Sequence, residues 1–321
     1  MKIKELVVNQ ICTIPLVATG VTARETKARK PYLAMDFYDG TDTISGNYWD
    51  WSGKAMPPKN AILDVTAQVT EWQGAKQLNI KSITSNTTLH ISEFTPSSGQ
   101  DIGELYKDAY AMLSEVCDDD LRTLALAILE AAQDKWLTVP AAKGIHHAYA
   151  AGTLIHSLSV AKIAGAIASQ LQGVSVDLCV VGGMLHDLGK LYTYEVDGIT
   201  IGLTDEGKLY EHSFIGAEFI GNFAGGLFGE AVSRNTEMKI EMLRHIILSH
   251  HGKLEYGATV PPMSAEAHIV SHADNMDAAI EQIKDQSSKV NEEKWTERIW
   301  PLDNKPHLTF QYVQRVMTPR E

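Results

Sequence analysis

The sequence predicts a multidomain protein of α and β type, with a small N-terminal β-barrel followed by a longer all-α region. Three observations predict it. Residues 1–90 break into short alternating apolar runs separated by turn signals, whereas from about Asp101 onward apolar residues recur at helical spacing. Charge changes along the same division: residues 1–90 hold 10 Lys/Arg and 8 Asp/Glu, leaving 18 and 32 for the remainder, so a net +2 segment precedes a net -14 one. Histidine is concentrated in the second part, with 10 of the 12 lying between His146 and His272.

The β-type runs are ELVVNQICTIPLVATGVTAR, KPYLAMDFYDGTDTISGNYWDW, ILDVTAQVTEW and QLNIKSITS, with Asp39-Gly40, Pro57-Pro58 and Gly74 as turns. They read as about five strands of an OB-type barrel, a fold that can bind an extended single strand on one face. Such a ligand needs cations along its backbone and flat side chains for its bases. The stretch RETKARKPY offers Arg24, Lys27, Arg29, Lys30 and Tyr32 as substrate contacts. Phe37, Tyr48, Trp49, Trp51 and Trp72 add aromatic surface, of which Phe37 and one or two tryptophans fit the barrel core better. Four solvated cations at a hairpin tip are the plainer alternative.

The helical part begins after FTPSSGQ, whose Pro96, Ser97, Ser98 and Gly99 mark a boundary. DIGELYKDAYAMLSEV is amphipathic, and Asp118 to Asp120 offer a helix start before LRTLALAILEAA. Further helices are predicted at about 148–172, 176–187, 213–224, 236–250 and 264–285.

Composition limits the function classes. At 321 residues, 44% hydrophobic and 21% charged, the chain can bury a sizeable core. A net charge of -12 argues against a protein that coats nucleic acid with its whole surface, although a local basic groove is compatible with it. Cys12, Cys117 and Cys179 are far apart with no CxxC, so neither a disulfide framework nor a thiolate zinc site is indicated. With no secretory leader and no run of about 18 apolar residues, a soluble cytoplasmic protein without a membrane partner is expected. The acidic surface and the apolar segment 121–132 leave room for a homo-oligomer.

The chemistry lies in the histidines. In VVGGMLHDLGK an apolar helix ends in His186 and Asp187, with Gly189 able to stop it and Lys190 following. Imidazole and carboxylate bind borderline-hard divalent ions, and the two oxygens of Asp187 could bridge a pair of them. A solvated helix terminus is the competing explanation of that fragment. His156 sits on an apolar helix, where a lone histidine is usually a hydrogen-bonded core residue. His212 opens a helix in YEHSFIGAEFI, and His250 with His251 closes MLRHIILSHHGKL before Gly252. Asp274, in AHIVSHADNMDAAI, is flanked by apolar residues, an expensive place for an unpaired carboxylate. His268 and His272 form an i, i+4 pair that could take an ion on one helix face.

The order His156, His186-Asp187, His212, His250-His251, Asp274 resembles the H…HD…H…H…D signature of HD-domain metal-dependent phosphohydrolases. The segments PAAKGIHHAYAAGTLIHSLSVAK, MLHDLGK, HSFIGAEFI, ILSHHGKLEYGATVPPMSAEAHIVSHADNMDA and WTERIWPLD look like the YhaM-type 3′–5′ exoribonucleases, which carry an OB-fold before the HD domain. The resemblance implies an OB-fold at 1–90, a helical linker at 91–138 and an HD domain at 139–321. It implies that His156, His186, Asp187 and Asp274 hold one ion, and that Asp187, His212 and His250, with His251 alongside, hold a second. Asp187 and Lys190 would then be catalytic, and His146 and His147 would touch a phosphate or the leaving nucleotide unless they only cap a helix or a loop. The ions would be divalent and two in number, manganese first, with iron, cobalt, nickel or magnesium as alternatives.

Ile155 stands where that family often has an acidic residue, which removes one source of support for the His156 ring. The implied activity is metal-dependent 3′–5′ hydrolysis of single-stranded RNA, or of single-stranded DNA. Two other functions fit the same residues: a phosphohydrolase of small nucleotides or cyclic dinucleotides, and a non-catalytic nucleic-acid-binding protein.

Overall fold

The computed structural model describes residues 1–53, 55–94, 99–141, 149–229, 232–290 and 293–318. Contacts divide the chain into two compact units, residues 1–97 with 196–201 and residues 98–195 with 202–321.

In the first unit, β1 (Ile11–Glu25), β2 (Pro31–Tyr38), β3 (Thr43–Tyr48), β4 (Ile62–Trp72) and β5 (Ala75–Ser85) close into a barrel in the order β1-β2-β3-β5-β4. β1 pairs antiparallel with both β2 and β4, and β3 meets β5 in parallel, so this is the OB-type closure expected. Strand alternation sends Leu33, Met35 and Phe37 of β2 and Leu63, Val65, Ala67 and Val69 of β4 inward, where all are buried. Phe37 therefore belongs to the core, as anticipated. Of the tryptophans, Trp51 is half-buried and packs against that core, whereas Trp49 and Trp72, at strand ends, are exposed.

In the second unit, α1 (Ile102–Ser114), α2 (Asp119–Ala131) and α3 (Gln133–Trp136) precede α4 (Gly152–Ala168), α5 (Val176–Leu185) and α6 (Lys190–Thr193). Next in sequence is a hairpin of β6 (Tyr194–Asp197) and β7 (Thr200–Leu203), whose residues 196–201 group with the first unit; the second unit resumes with α7 (Asp205–Phe228), α8 (Arg234–Ser249), α9 (Ala265–Lys289) and α10 (Phe310–Met317). The hairpin is an addition to the all-helical expectation. It forms where the short run YEVDGITI alternates around Gly198, whose φ of +62 makes the turn.

Side-chain caps start the helices: Asp101 accepts from the backbone N–H groups of Gly103 and Glu104, and Asp118 from those of Asp120 and Leu121. α4 and α5 are apolar all round, as fits helices at the centre of a bundle. Leu154, Leu158 and Ala161 of α4, Val181, Met184 and Leu185 of α5, and Ile246, Ile247 and Val270 of α8 and α9 form one core with Leu113, Leu124, Ile128 and Trp136 of α1 to α3. The helices of residues 102–136 thus share the core of the later helices. Among the described residues no helix is long and apolar enough to cross a membrane.

Candidate metal centre and barrel surface

The residues around His186 and Asp187 form a sharp corner rather than a simple helix end. α5 stops at Leu185, and Leu188 and Lys190 donate backbone N–H groups to the carbonyls of Leu185 and Asp187 before α6 begins. Gly189 permits this corner to lie against α7, since a Cβ there would fall 1.9 Å from the His212 carbonyl oxygen. α7 itself is kinked at Glu211, which adopts φ 66 and ψ 152, and the kink directs His212 toward Asp187. α4 supplies His156, the end of α8 supplies His250 and His251, and α9 supplies Asp274.

The structure brings together all seven residues named above as candidate metal ligands. Three groups of possible ligand atoms, each within 4.8 Å of one another, occur among the described residues: His156, His186 and Asp187; His186, His250 and Asp274; and His212, His250 and His251. Asp187 lies between them. Its Oδ2 is 3.4 Å from His186 Nε2 and 3.6 Å from His156 Nε2, while its Oδ1 is 3.3 Å from His212 Nε2 and 3.6 Å from His250 Nε2. Asp274 Oδ1 approaches His156 Nε2 at 3.1 Å. Lys190 Nζ reaches Asp187 Oδ2 at 2.6 Å.

The outer nitrogens of four rings are all engaged. His156 Nδ1 lies 2.7 Å from Asp277 Oδ2, and His212 Nδ1 lies 2.6 Å from Glu211 Oε2. His186 Nδ1 and His250 Nδ1 lie 2.8 and 2.7 Å from the carbonyls of Gly183 and Ile247. Each Nδ1 is thereby engaged on the outside, and the Nε2 atoms face the centre, where an ion would need them bare. They lie 3.2 Å apart for His156 and His186 and 3.5 Å apart for His212 and His250.

Charge in the pocket follows from burial and from these partners. Burial alone would raise the Asp187 carboxyl, but the Lys190 ammonium and the His186 ring hold it well below the usual range. Asp274 is likewise held below its ordinary value, with the bond to His156 overriding burial. Lys190 is pushed up, burial being outweighed by Asp187. His156 is pushed up to about 9, because Asp274 and Asp277 overcome the burial that opposes its charge. Burial and neighbouring imidazoles press His250 well down, and His251 moves the same way.

These residues fit divalent ions. Asp187 Oδ1 and His251 Nδ1 are buried and accept or donate no well-formed hydrogen bond among the described residues, a cost that a cation would remove. The donors are nitrogen and oxygen alone, the set that suits manganese, iron, cobalt, nickel or magnesium rather than a thiolate zinc site.

Sequence reasoning missed two residues. Asp277 and Glu211 contact rings rather than the centre; the three-residue spacing of Asp277 from Asp274 puts both on one helical face and could have revealed the first. His268 and His272 are exposed on α9 with ring centroids 6.3 Å apart, and no third ligand joins them among the described residues. His245 accepts a hydrogen bond from the Met263 backbone N–H. His146 and His147 lie outside the described residues.

On the barrel, Arg24, Lys27, Arg29 and Lys30 are exposed and Tyr32 is half-buried. Thr26 N–H to Lys30 O and Arg29 N–H to Thr26 O close the β1–β2 turn, which holds the cations at its tip. Arg24 pairs across the ladder with Tyr32, and the Tyr32 ring lies 4.4 Å from that of Trp49 at an interplanar angle of 30°. Since Leu33 points inward, Tyr32 points outward, and Arg24, Tyr32 and Trp49 form a basic and aromatic row on the outer face. Lys30 also meets Asp50 at 3.3 Å, an exposed pair worth little.

Residues 153–279 match the family model of the HD domain, a family of metal-dependent phosphohydrolases. The chain is also similar to a crystal structure of a domain of replication protein A from Methanococcus maripaludis, at 23% identity over 26% of this chain and 92% of that one, with a TM-score of 0.24. A solution structure of the second OB-fold domain of the same organism's replication protein A is 19% identical over 28% of this chain and 97% of that one, with a TM-score of 0.24.

Proposed function

We propose that a chain carrying an HD domain behind a closed five-stranded barrel is a divalent-metal-dependent 3′–5′ exoribonuclease of the YhaM type. The observation that carries the reading is the convergence of His156, His186, His212 and His250 on the buried Asp187 carboxylate, with His251 and Asp274 grouped against the same rings. His156, His186, Asp187 and Asp274 would hold one ion, and Asp187, His212, His250 and His251 another. Bound there, such ions supply an activated water and stabilise the attacking and leaving oxygens at phosphorus. The protein's own share is positional. The carboxylate and carbonyl partners at Nδ1 hold four rings in one orientation, Asp187 joins the two pockets, and the Lys190 ammonium, held on Asp187, would meet the negative charge that grows on a phosphoryl oxygen.

Support for a single-stranded substrate comes from the barrel's outer row. Arg24 and the cations of the β1–β2 turn match a phosphate backbone, and the adjoining Tyr32 and Trp49 rings match bases. The 3′–5′ polarity and the preference for RNA rest on the family resemblance.

The test incubates purified protein and manganese with a 5′-labelled oligoribonucleotide, and separately with free nucleotides. Progressive shortening of the labelled strand from its 3′ end supports the proposal. Loss of nucleotide alone, with the oligonucleotide intact, replaces it with a small-nucleotide phosphohydrolase.

A further inference from the structure

The two sides of the centre are built differently. His156, His186 and Asp187 are at most 1% exposed, and Asp277, which backs His156, is itself only 6% exposed. Asp277 is further fixed by the Ser159 hydroxyl, which donates to its Oδ1 while Oδ2 takes the His156 ring. Both ends of this relay lie on packed helices, Ser159 and His156 on α4 and Asp277 on α9, so little freedom is left to the imidazole.

Across the centre, His212 is backed by Glu211, whose side chain is 67% exposed. Its backbone at φ 66 and ψ 152 occupies a region that residues with a side chain rarely adopt. Water competes for that carboxylate, and relaxation of the kink would turn His212 away. The inner side also has a carboxylate of its own, Asp274, beside its share of Asp187, whereas the outer side has three imidazoles and its share of Asp187 alone.

We propose that Asp277, steadied by Ser159, is a positioning residue for His156, and that the two pockets therefore hold ions unequally. The pocket around His156 and His186 keeps its ion, and the pocket around His212, His250 and His251 exchanges its ion readily. This rests on reading the centre as a two-ion site. Mutation of a carboxylate that orients a metal-bound histidine generally weakens the ion by about 10–100-fold, and the loss should be confined to the pocket concerned.

The experiment titrates manganese into the metal-free full-length protein by calorimetry, without nucleic acid. The wild type should show two classes of site separated by at least about tenfold. Asp277→Ala should weaken the tighter class by about 10–100-fold and leave the other unchanged. Asp277→Asn, whose amide oxygen can still accept from Nδ1, should recover part of that loss. Glu211→Gln should weaken the looser class alone. If Asp277→Ala fails to fold, as judged by urea melts in chelator, Ser159→Ala should give a smaller loss in the same class. One class of site in the wild type, or equal weakening of both classes by Asp277→Ala, overturns the inference. Absence of any manganese binding overturns the two-ion reading itself.

Discussion

Binding of ions to this centre should release protons, and the amount can be worked from His156. In the metal-free protein its pKa is pushed up to about 9, with burial opposed and overcome by Asp274 and Asp277. A ligand must offer a bare nitrogen, so at pH 7 the proton has to leave first. With two pH units to make up, the cost is about 3 kcal/mol, or on the order of 100-fold in apparent affinity. His212, also raised, adds to the effect, whereas His250 and His251 are already neutral and Asp187 and Asp274 already ionised.

Calorimetric titration with manganese at pH 7.5, in buffers of different ionisation enthalpy, should therefore report at least about one proton released per chain. Affinity should rise about tenfold per unit between pH 6.5 and 8.5. The linkage has an opposite side. Because the folded pKa is raised, protonated His156 stabilises the metal-free fold fully below about 6.5, its unfolded value, and that stabilisation is lost as pH rises through about 9. No proton release together with an affinity flat across the range would refute the reasoning.

Asp187→Ala should abolish hydrolysis, by at least about 1,000-fold, while leaving the affinity of the protein for a single strand nearly unchanged, as measured by parallel cleavage and fluorescence-anisotropy assays. Trp49→Ala should weaken oligonucleotide binding by about 1–3 kcal/mol, since a base would lose its stacking partner beside Tyr32. Lys27→Glu with Lys30→Glu should weaken long substrates more than dinucleotides and flatten the salt dependence of binding; equal effects on both lengths would remove the barrel from substrate grip. Gly189→Ala should displace His212, because the added methyl would meet the His212 carbonyl 1.9 Å away. A stability loss of about 1–3 kcal/mol and reduced manganese stoichiometry are expected, read by urea melts and elemental analysis.

The residues that face the centre were legible because each stands at a marked place in the sequence. His186 and Asp187 precede Gly189, His250 and His251 precede Gly252, and Asp274 interrupts an apolar helix. Strand alternation likewise made the barrel legible, since a buried face imposes period two on Leu33, Met35 and Phe37. What supports the rings was harder to see. Asp277 lies 121 residues from His156, and only the packing of α4 against α9 brings them together. Glu211 acts through a backbone kink that no residue type announces, while the Tyr32 and Trp49 ring contact depends on β2–β3 register. The hairpin at 194–203 went unread because its strands are only four residues each, too short for periodicity to stand out.

The central proposal is that the site takes two cations, one on either side of Asp187. Anomalous diffraction from crystals soaked in manganese tests it most directly. The account predicts two peaks about 3.5–4 Å apart, bridged by the Asp187 carboxylate, with His156, His186 and Asp274 around one and His212, His250 and His251 around the other. Peaks remote from Asp187, or none within reach of these side chains, would contradict it.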